Sequence, residues 1–139
     1  MTSTFFKYCF FFLLTFFSQF LIGQDPAYHQ LTDEDGLPSL TIYKIQQSHD
    51  GYIWMGTANG VSRFDGREFK HFSDRRMKDS EIMNLQVDAF NRIWFRNLSK
   101  QLFCIIEEKI VSFEELTNGK YILGENFAVL DNYIYLFTN

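Results

Sequence analysis

Residues 42–72 read IYKIQQSHDGYIWMGTANGVSRFDGREFKHF, and residues 82–113 read IMNLQVDAFNRIWFRNLSKQLFCIIEEKIVSF. Shifted by 40 positions, Ile42, Gln46, Ile53 and Trp54 meet Ile82, Gln86, Ile93 and Trp94. One inserted residue near Lys100 then brings Phe64, Phe69 and Phe72 onto Ile105, Ile110 and Phe113. A third copy begins at Asp131-Asn132-Tyr133-Ile134-Tyr135-Leu136-Phe137-Thr138. It echoes Asp50-Gly51-Tyr52-Ile53-Trp54-Met55-Gly56-Thr57 at a spacing of 81, two periods. The same apolar positions recurring three times establish a repeat of about 40 residues, and a repeat decides the fold.

Within one period the pattern is that of strands. Residues 42–47 and 52–57 are short β-rich runs separated by the turn pair Asp50-Gly51. Asn59-Gly60 predicts a two-residue hairpin turn in which both central positions take positive φ, and Asp65-Gly66 predicts another. Residues 61–64 and 68–72 supply the remaining strands, and no stretch shows sustained helical spacing of apolar residues. One small four-stranded sheet cannot bury both its faces, so such units must stack. Four strands per 40 to 45 residues is the period of a β-propeller blade. The expected class is all-β, with antiparallel four-stranded blades forming an incomplete propeller behind a signal-peptide helix. Blade 1 is expected over residues 42–73, a degenerate blade 2 over 82–114 and the start of a truncated third over 120–139. Residues 24–41 are expected to hold a propeller-closing strand at Tyr28-His29-Gln30-Leu31 and a polar loop over 32–39.

Eight of the 17 phenylalanines lie in the first 20 residues, which makes that block a separate object. Residues 1–23 carry one charge, Lys7, then an apolar run over residues 8–17 and a small residue at Gly23. The run is shorter than the roughly 20 residues that span a bilayer, and the pattern predicts a cleaved secretory signal. An uncleaved anchor is the alternative, but Ser18 and Gln19 would then sit inside the span. Cleavage removes Lys7 and Cys9, leaving 12 Lys and Arg against 17 Asp and Glu, a formal charge of −5, with Cys104 as the single cysteine. An internal disulfide is thereby excluded. Scattered charges of both signs make nucleic acid an unsuitable partner.

Residues 48–66 closely follow an Asp-x-x-Gly-x-Ile-Trp-x-Gly-Thr-x-x-Gly-Leu-x-Arg-Phe-Asp-Gly pattern, with Val61 in place of Leu. The chain thus resembles the two-component regulator propeller repeat, over about residues 28–139. The motif falls on Asp50, Gly51, Trp54, Gly56, Thr57, Asn59, Gly60, Asp65 and Gly66, and Trp94 repeats it. The second copy departs from it: Asn91-Arg92 replaces Gly-Tyr, Arg96-Asn97 replaces Gly-Thr, and Ser99-Lys100 replaces the Asn-Gly turn. The resemblance implies the opening part of a periplasmic sensor in a two-component regulator, binding a small ligand such as an oligosaccharide. It further implies a full-length homodimer, anchored in the inner membrane by a later helix that precedes kinase or DNA-binding modules.

Catalytic, metal and cofactor sites are not expected. Trp54 and Trp94 could form a sugar-stacking platform, but their recurrence at one strand position argues for packing between blades. Asp33-Glu34-Asp35-Gly36 lacks oxygen ligands at loop positions 1 and 12, which are Leu31 and Ile42. Ser48-His49-Asp50 are neighbours whose side chains alternate on a strand and cannot form a triad. Two other classes compete with the sensor: a secreted propeller enzyme, such as a polysaccharide lyase or glycosidase, and a non-catalytic surface interaction protein.

Overall fold

The computed structural model describes residues 7, 8, 10, 12, 28, 30–120, 126–130 and 133–137. The expected export signal lies, but for four positions, outside the described residues. The chain divides at Gln30 into an N-terminal unit and a unit from Leu31 to Asn139. The second contains ten described strands and one short helix.

Strands β1 (Ile42–Gln47), β2 (Ile53–Thr57), β3 (Gly60–Phe64) and β4 (Phe69–Phe72) form one antiparallel sheet in the order β1-β2-β3-β4. Strands β5 (Ile82–Val87), β6 (Ile93–Asn97), β7 (Leu102–Ile106) and β8 (Lys109–Ser112) repeat that order. After α1 (Phe113–Thr117), the hairpin of β9 (Asn126–Leu130) and β10 (Tyr133–Phe137) opens a third sheet. These are propeller blades, as the repeat requires.

The strand alternation explains the stacking. Trp54, Val61 and Phe72 share a face of blade 1 and pack against Ile82, Leu85, Ile93, Phe95, Phe103 and Ile105 of blade 2. On the far side of blade 2, Trp94, Leu102, Cys104 and Phe113 pack against Phe127, with Val129, Ile134 and Leu136 beside them. Blade 2 therefore buries both faces, and all of β6 is buried. The aromatic pair Trp54–Phe72, at 5.3 Å between centroids, recurs as Trp94–Phe113 at 6.5 Å. Gly56 lets the blades approach, because a Cβ there would stand 2.9 Å from the Ile82 carbonyl oxygen.

Several turns differ from expectation. The loop β2–β3 consists of Ala58 and Asn59 between the paired Thr57 and Gly60; Asn59 keeps a negative φ and Gly60 alone takes +100°. Lys100 stands 40 positions later with φ +65°, so blade 2 keeps this turn without a glycine. The inserted residue is Gln101, since Arg96 pairs with Leu102 where Gly56 pairs with Val61. Asp65-Gly66 does not form a two-residue turn. Phe64 pairs with Phe69 around a four-residue loop, in which the Asp65 carboxylate accepts the N–H groups of Arg67 and Glu68 at 2.8 and 2.7 Å. The two-residue turn with both φ positive occurs instead at Glu107-Glu108, at +47° and +64°.

Helix α1 is a local feature that apolar periodicity does not reveal. Ser112 and Glu115 form a capping box and Asn118 closes the helix in the left-handed region. The closing strand expected at residues 28–31 is not observed among the described residues: Tyr28, Gln30 and Leu31 lie outside any strand, and His29 is outside the described set.

Candidate functional site

The two tryptophans are held by matching locks. The Trp54 indole N–H donates to Ser48 Oγ at 3.1 Å, and the Ser48 hydroxyl lies 2.5 Å from Asp50 Oδ1. Forty residues on, the Trp94 indole donates to Asp88 Oδ2 at 2.9 Å. The Arg92 Nε–H donates to the same oxygen at 2.6 Å. Burial pushes the Asp88 carboxyl up, but the donors Trp94 and Arg92 outweigh it and hold its pKa below the ordinary value. An arginine covers each indole: Arg63 sits 5.6 Å from the Trp54 ring and Arg92 5.5 Å from the Trp94 ring. Arg63 is the cross-strand neighbour of Trp54, whereas Cys104 occupies that place opposite Trp94. The charge has moved from β3 to the turn before β6 and kept its indole partner. With Trp54 and Trp94 only 5% and 3% exposed, neither presents a face for a sugar.

The other motif residues serve turns. Gly51 has φ +91° in the turn closed by its N–H to Ser48 O, and Asn91 holds the same turn at +62° with its N–H to Asp88 O. The Thr57 hydroxyl donates to Gly60 O and accepts from the Asn59 N–H, both at 3.0 Å. Asn97 takes this part in blade 2, its Oδ1 accepting the Gln101 N–H at 2.8 Å. Among the described residues no group of three His, Cys, Asp or Glu could hold a metal ion. Cys104 is fully buried and its thiol is pushed up to about 12 by that burial.

One end of the blades carries a denser polar construction. The linker over residues 73–81 is pinned there by the loops β2–β3 and β6–β7. Ser80 accepts the Gly60 N–H at its carbonyl and donates its hydroxyl to Ala58 O. The Asp79 carboxylate accepts the N–H groups of Leu98 and Ser99 at 3.0 and 2.8 Å. Gln101 accepts from Lys78 N–H at 2.7 Å and from Asn97 Nδ2 at 2.9 Å, and donates to Arg76 O at 3.2 Å. Arg76 donates to both Asp74 oxygens, to Ile110 O and to Glu115. Its guanidinium draws the Asp74 carboxyl down to about 2. Between these groups lies an open cleft of about 340 Å³, lined by Arg76, Gln101, Phe103, Ser112, Glu114 and Glu115. Tyr43 and Met83 stand at the same end, each in a register irregularity of its blade's first strand and each exposed. The Tyr43 hydroxyl donates to Glu81 at 3.4 Å.

Most of this construction escaped sequence reasoning. Ser48 and Asp88 each stand six residues before a tryptophan, a recurring spacing that could have marked them. Arg76, Asp79 and Gln101 carry no such mark, because the contacts that bring them together, Arg76 with Glu115 and Ile110, Asp79 with Leu98 and Gln101 with Lys78, span 19 or more positions.

Comparison with known proteins agrees with the blade structure. Residues 36–59 match the family described as two component regulator propeller, covering the end of the first linker, β1, β2 and the loop after them. A histidine kinase P4 from Formosa agariphila is 30% identical over 56 residues, which cover 40% of this chain and 4% of that protein. The chain therefore spans only a small part of that relative. The virginiamycin B lyase of Staphylococcus aureus superimposes with a TM-score of 0.47 at 20% identity, over 52% of this chain and 26% of the lyase. Residues 36–59 are thus similar to the repeat of the two component regulator propeller family.

Proposed function

We propose that this chain forms the opening blades of an extracytoplasmic sensor propeller in a two-component regulator. In this reading the propeller binds a small ligand, an oligosaccharide in the first instance. The signal passes to a kinase or DNA-binding module elsewhere in the full-length protein. The chain itself catalyses nothing; it is exported by residues 1–23, and the full-length protein is a homodimer held in the inner membrane by a later helix. The observation that carries the reading is the match over residues 36–59, which falls on a linker, two strands and a loop locked together as one blade segment. The partial likeness to a histidine kinase supports the same assignment. Folding accounts for the motif residues, since Trp54, Gly56 and Thr57 are buried between or within blades. Ligand recognition then falls to residues outside the motif, where the two blades differ.

The test is made on the full-length protein in membranes. Phosphate incorporation from ATP is measured with and without a panel of oligosaccharides, and the mature N-terminus is read by mass spectrometry. Processing near Gln24 and a saccharide-dependent change in phosphorylation are expected. An intact Met1 in the cytoplasmic fraction, or phosphorylation indifferent to every saccharide, would refute the reading.

A further inference from the structure

The repeat serves as a ruler that separates scaffold from departure. Positions that pack one blade on the next recur at a shift of 40 or 41: Trp54 and Trp94, Val61 and Leu102, Phe72 and Phe113. Three departures meet in one place. Arg76 stands where blade 1 has Gly36, Gln101 is the inserted residue, and α1 follows β8 where β4 is followed directly by the linker. Blade 1 holds its own linker with less, through the Asn59 Nδ2–H to Pro38 O and the Ala58 N–H to Thr41 O. The additions in blade 2 thus exceed what the same turn needs in blade 1, and they enclose the cleft of about 340 Å³.

We infer that this cleft is a binding subsite for one sugar unit of a saccharide that bears no negative charge, an assignment that rests on the sensor reading above. Its volume lies at the lower end of the range for small-molecule sites. The walls offer hydroxyl recognition through the Glu114 carboxylate and the Ser112 hydroxyl, beside Gln101 and Glu115, whose polar groups are held by Lys78, Asn97, Arg76 and Ser112. Charge sets the selectivity. Among the described residues, Glu114 and Glu115 line the cleft with one cation, Arg76, whose guanidinium is already engaged by Asp74 and Glu115. An anionic ligand would meet the Glu114 carboxylate, which stands outside the ion pairs of Arg76, whereas a hydroxyl donates to Glu114 in a charge-assisted hydrogen bond.

Calorimetric titration of the full-length protein uses three tetrasaccharides matched in length: a neutral glucose tetramer, a glucosamine tetramer and a galacturonate tetramer. The neutral or the amino tetramer should bind at least tenfold more tightly than the uronate. Glu114→Ala should weaken that binding about tenfold with an unchanged thermal midpoint, and Glu114→Gln should weaken the amino tetramer more than the neutral one. Equal or tighter binding of the uronate overturns the assignment. So does unaltered affinity in both Glu114 variants, which would place the ligand elsewhere and leave the sensor reading intact. Absence of binding by all three also overturns it, and phosphorylation that still responds to another saccharide would show that the sensor reading survives alone.

Discussion

Replacing Gly56 with alanine tests the tightness of blade stacking. A Cβ at position 56 would lie 2.9 Å from the carbonyl oxygen and 3.0 Å from Cγ2 of Ile82, on the first strand of the next blade. Ordinary contacts between such atoms begin near 3.5 Å, so the two blades must separate by about half an ångström. Ile82 is fully buried and packs with Leu85, Ile93 and Phe95, so it has no solvent side toward which to yield. Overpacking of this kind costs about 1–3 kcal/mol. With a urea slope of about 2 kcal/mol/M, the unfolding midpoint should fall by roughly 0.5–1.5 M and the slope should stay constant. Gly51→Ala is the control for backbone strain: nothing lies within 4 Å of its Cβ position, but its φ is +91°, and a loss of about 1 kcal/mol is expected. In an Ile82→Ala background the Gly56→Ala penalty should shrink without vanishing, because the carbonyl oxygen remains. An unchanged midpoint for Gly56→Ala would refute the reasoning, since it would mean that the blades part freely.

Asp88 has its pKa lowered in the folded state, so its contribution to stability is present above the unfolded value of about 3.9 and is lost as pH falls through the folded one. Asp88→Asn should cost about 1–3 kcal/mol at pH 7 and flatten the decline below pH 4, read by urea unfolding across pH; a decline as steep as in the wild type would count against it. Ser112→Ala removes both the cap of α1 and one lining hydroxyl of the cleft, and a loss of about 1 kcal/mol is expected in the same assay. Cys104, with its thiol near 12, should resist a thiol-specific reagent at pH 8 until the protein unfolds. Labelling of the native protein within seconds would show that blade 2 opens readily.

The architecture was legible because stacked sheets demand apolar side chains at the same place in every repeat. That demand writes a period into the chain, and Trp54 with Trp94 displays it without reference to contacts. The strands followed from the same period. Turn geometry was read less well. The sequence points to positive φ at Asn59 and Gly60 and over Asp65-Gly66; the structure has it at Gly60 and Gly66, not at Asn59 or Asp65, and also at Asn91, Lys100, Glu107 and Glu108. Strand pairing on either side of a loop can hold an ordinary residue in the left-handed region, so glycine is a sufficient sign of such a turn and not a necessary one. Glu108 shows why: its carboxylate reaches Lys70 and Arg63 in the other blade, at 2.5 and 3.1 Å, across 38 and 45 positions of chain.

The sequence by itself determined the blades, their order and the residues that bury between them, because those depend on local alternation repeated at a fixed interval. Only the tertiary structure decided where Arg76, Gln101, Glu114 and Glu115 meet and form a cleft. Their convergence depends on how a linker, a loop and a helix cap are carried to one end of a sheet, and hydrogen bonds over 23 to 39 positions of sequence leave no periodic trace in the chain.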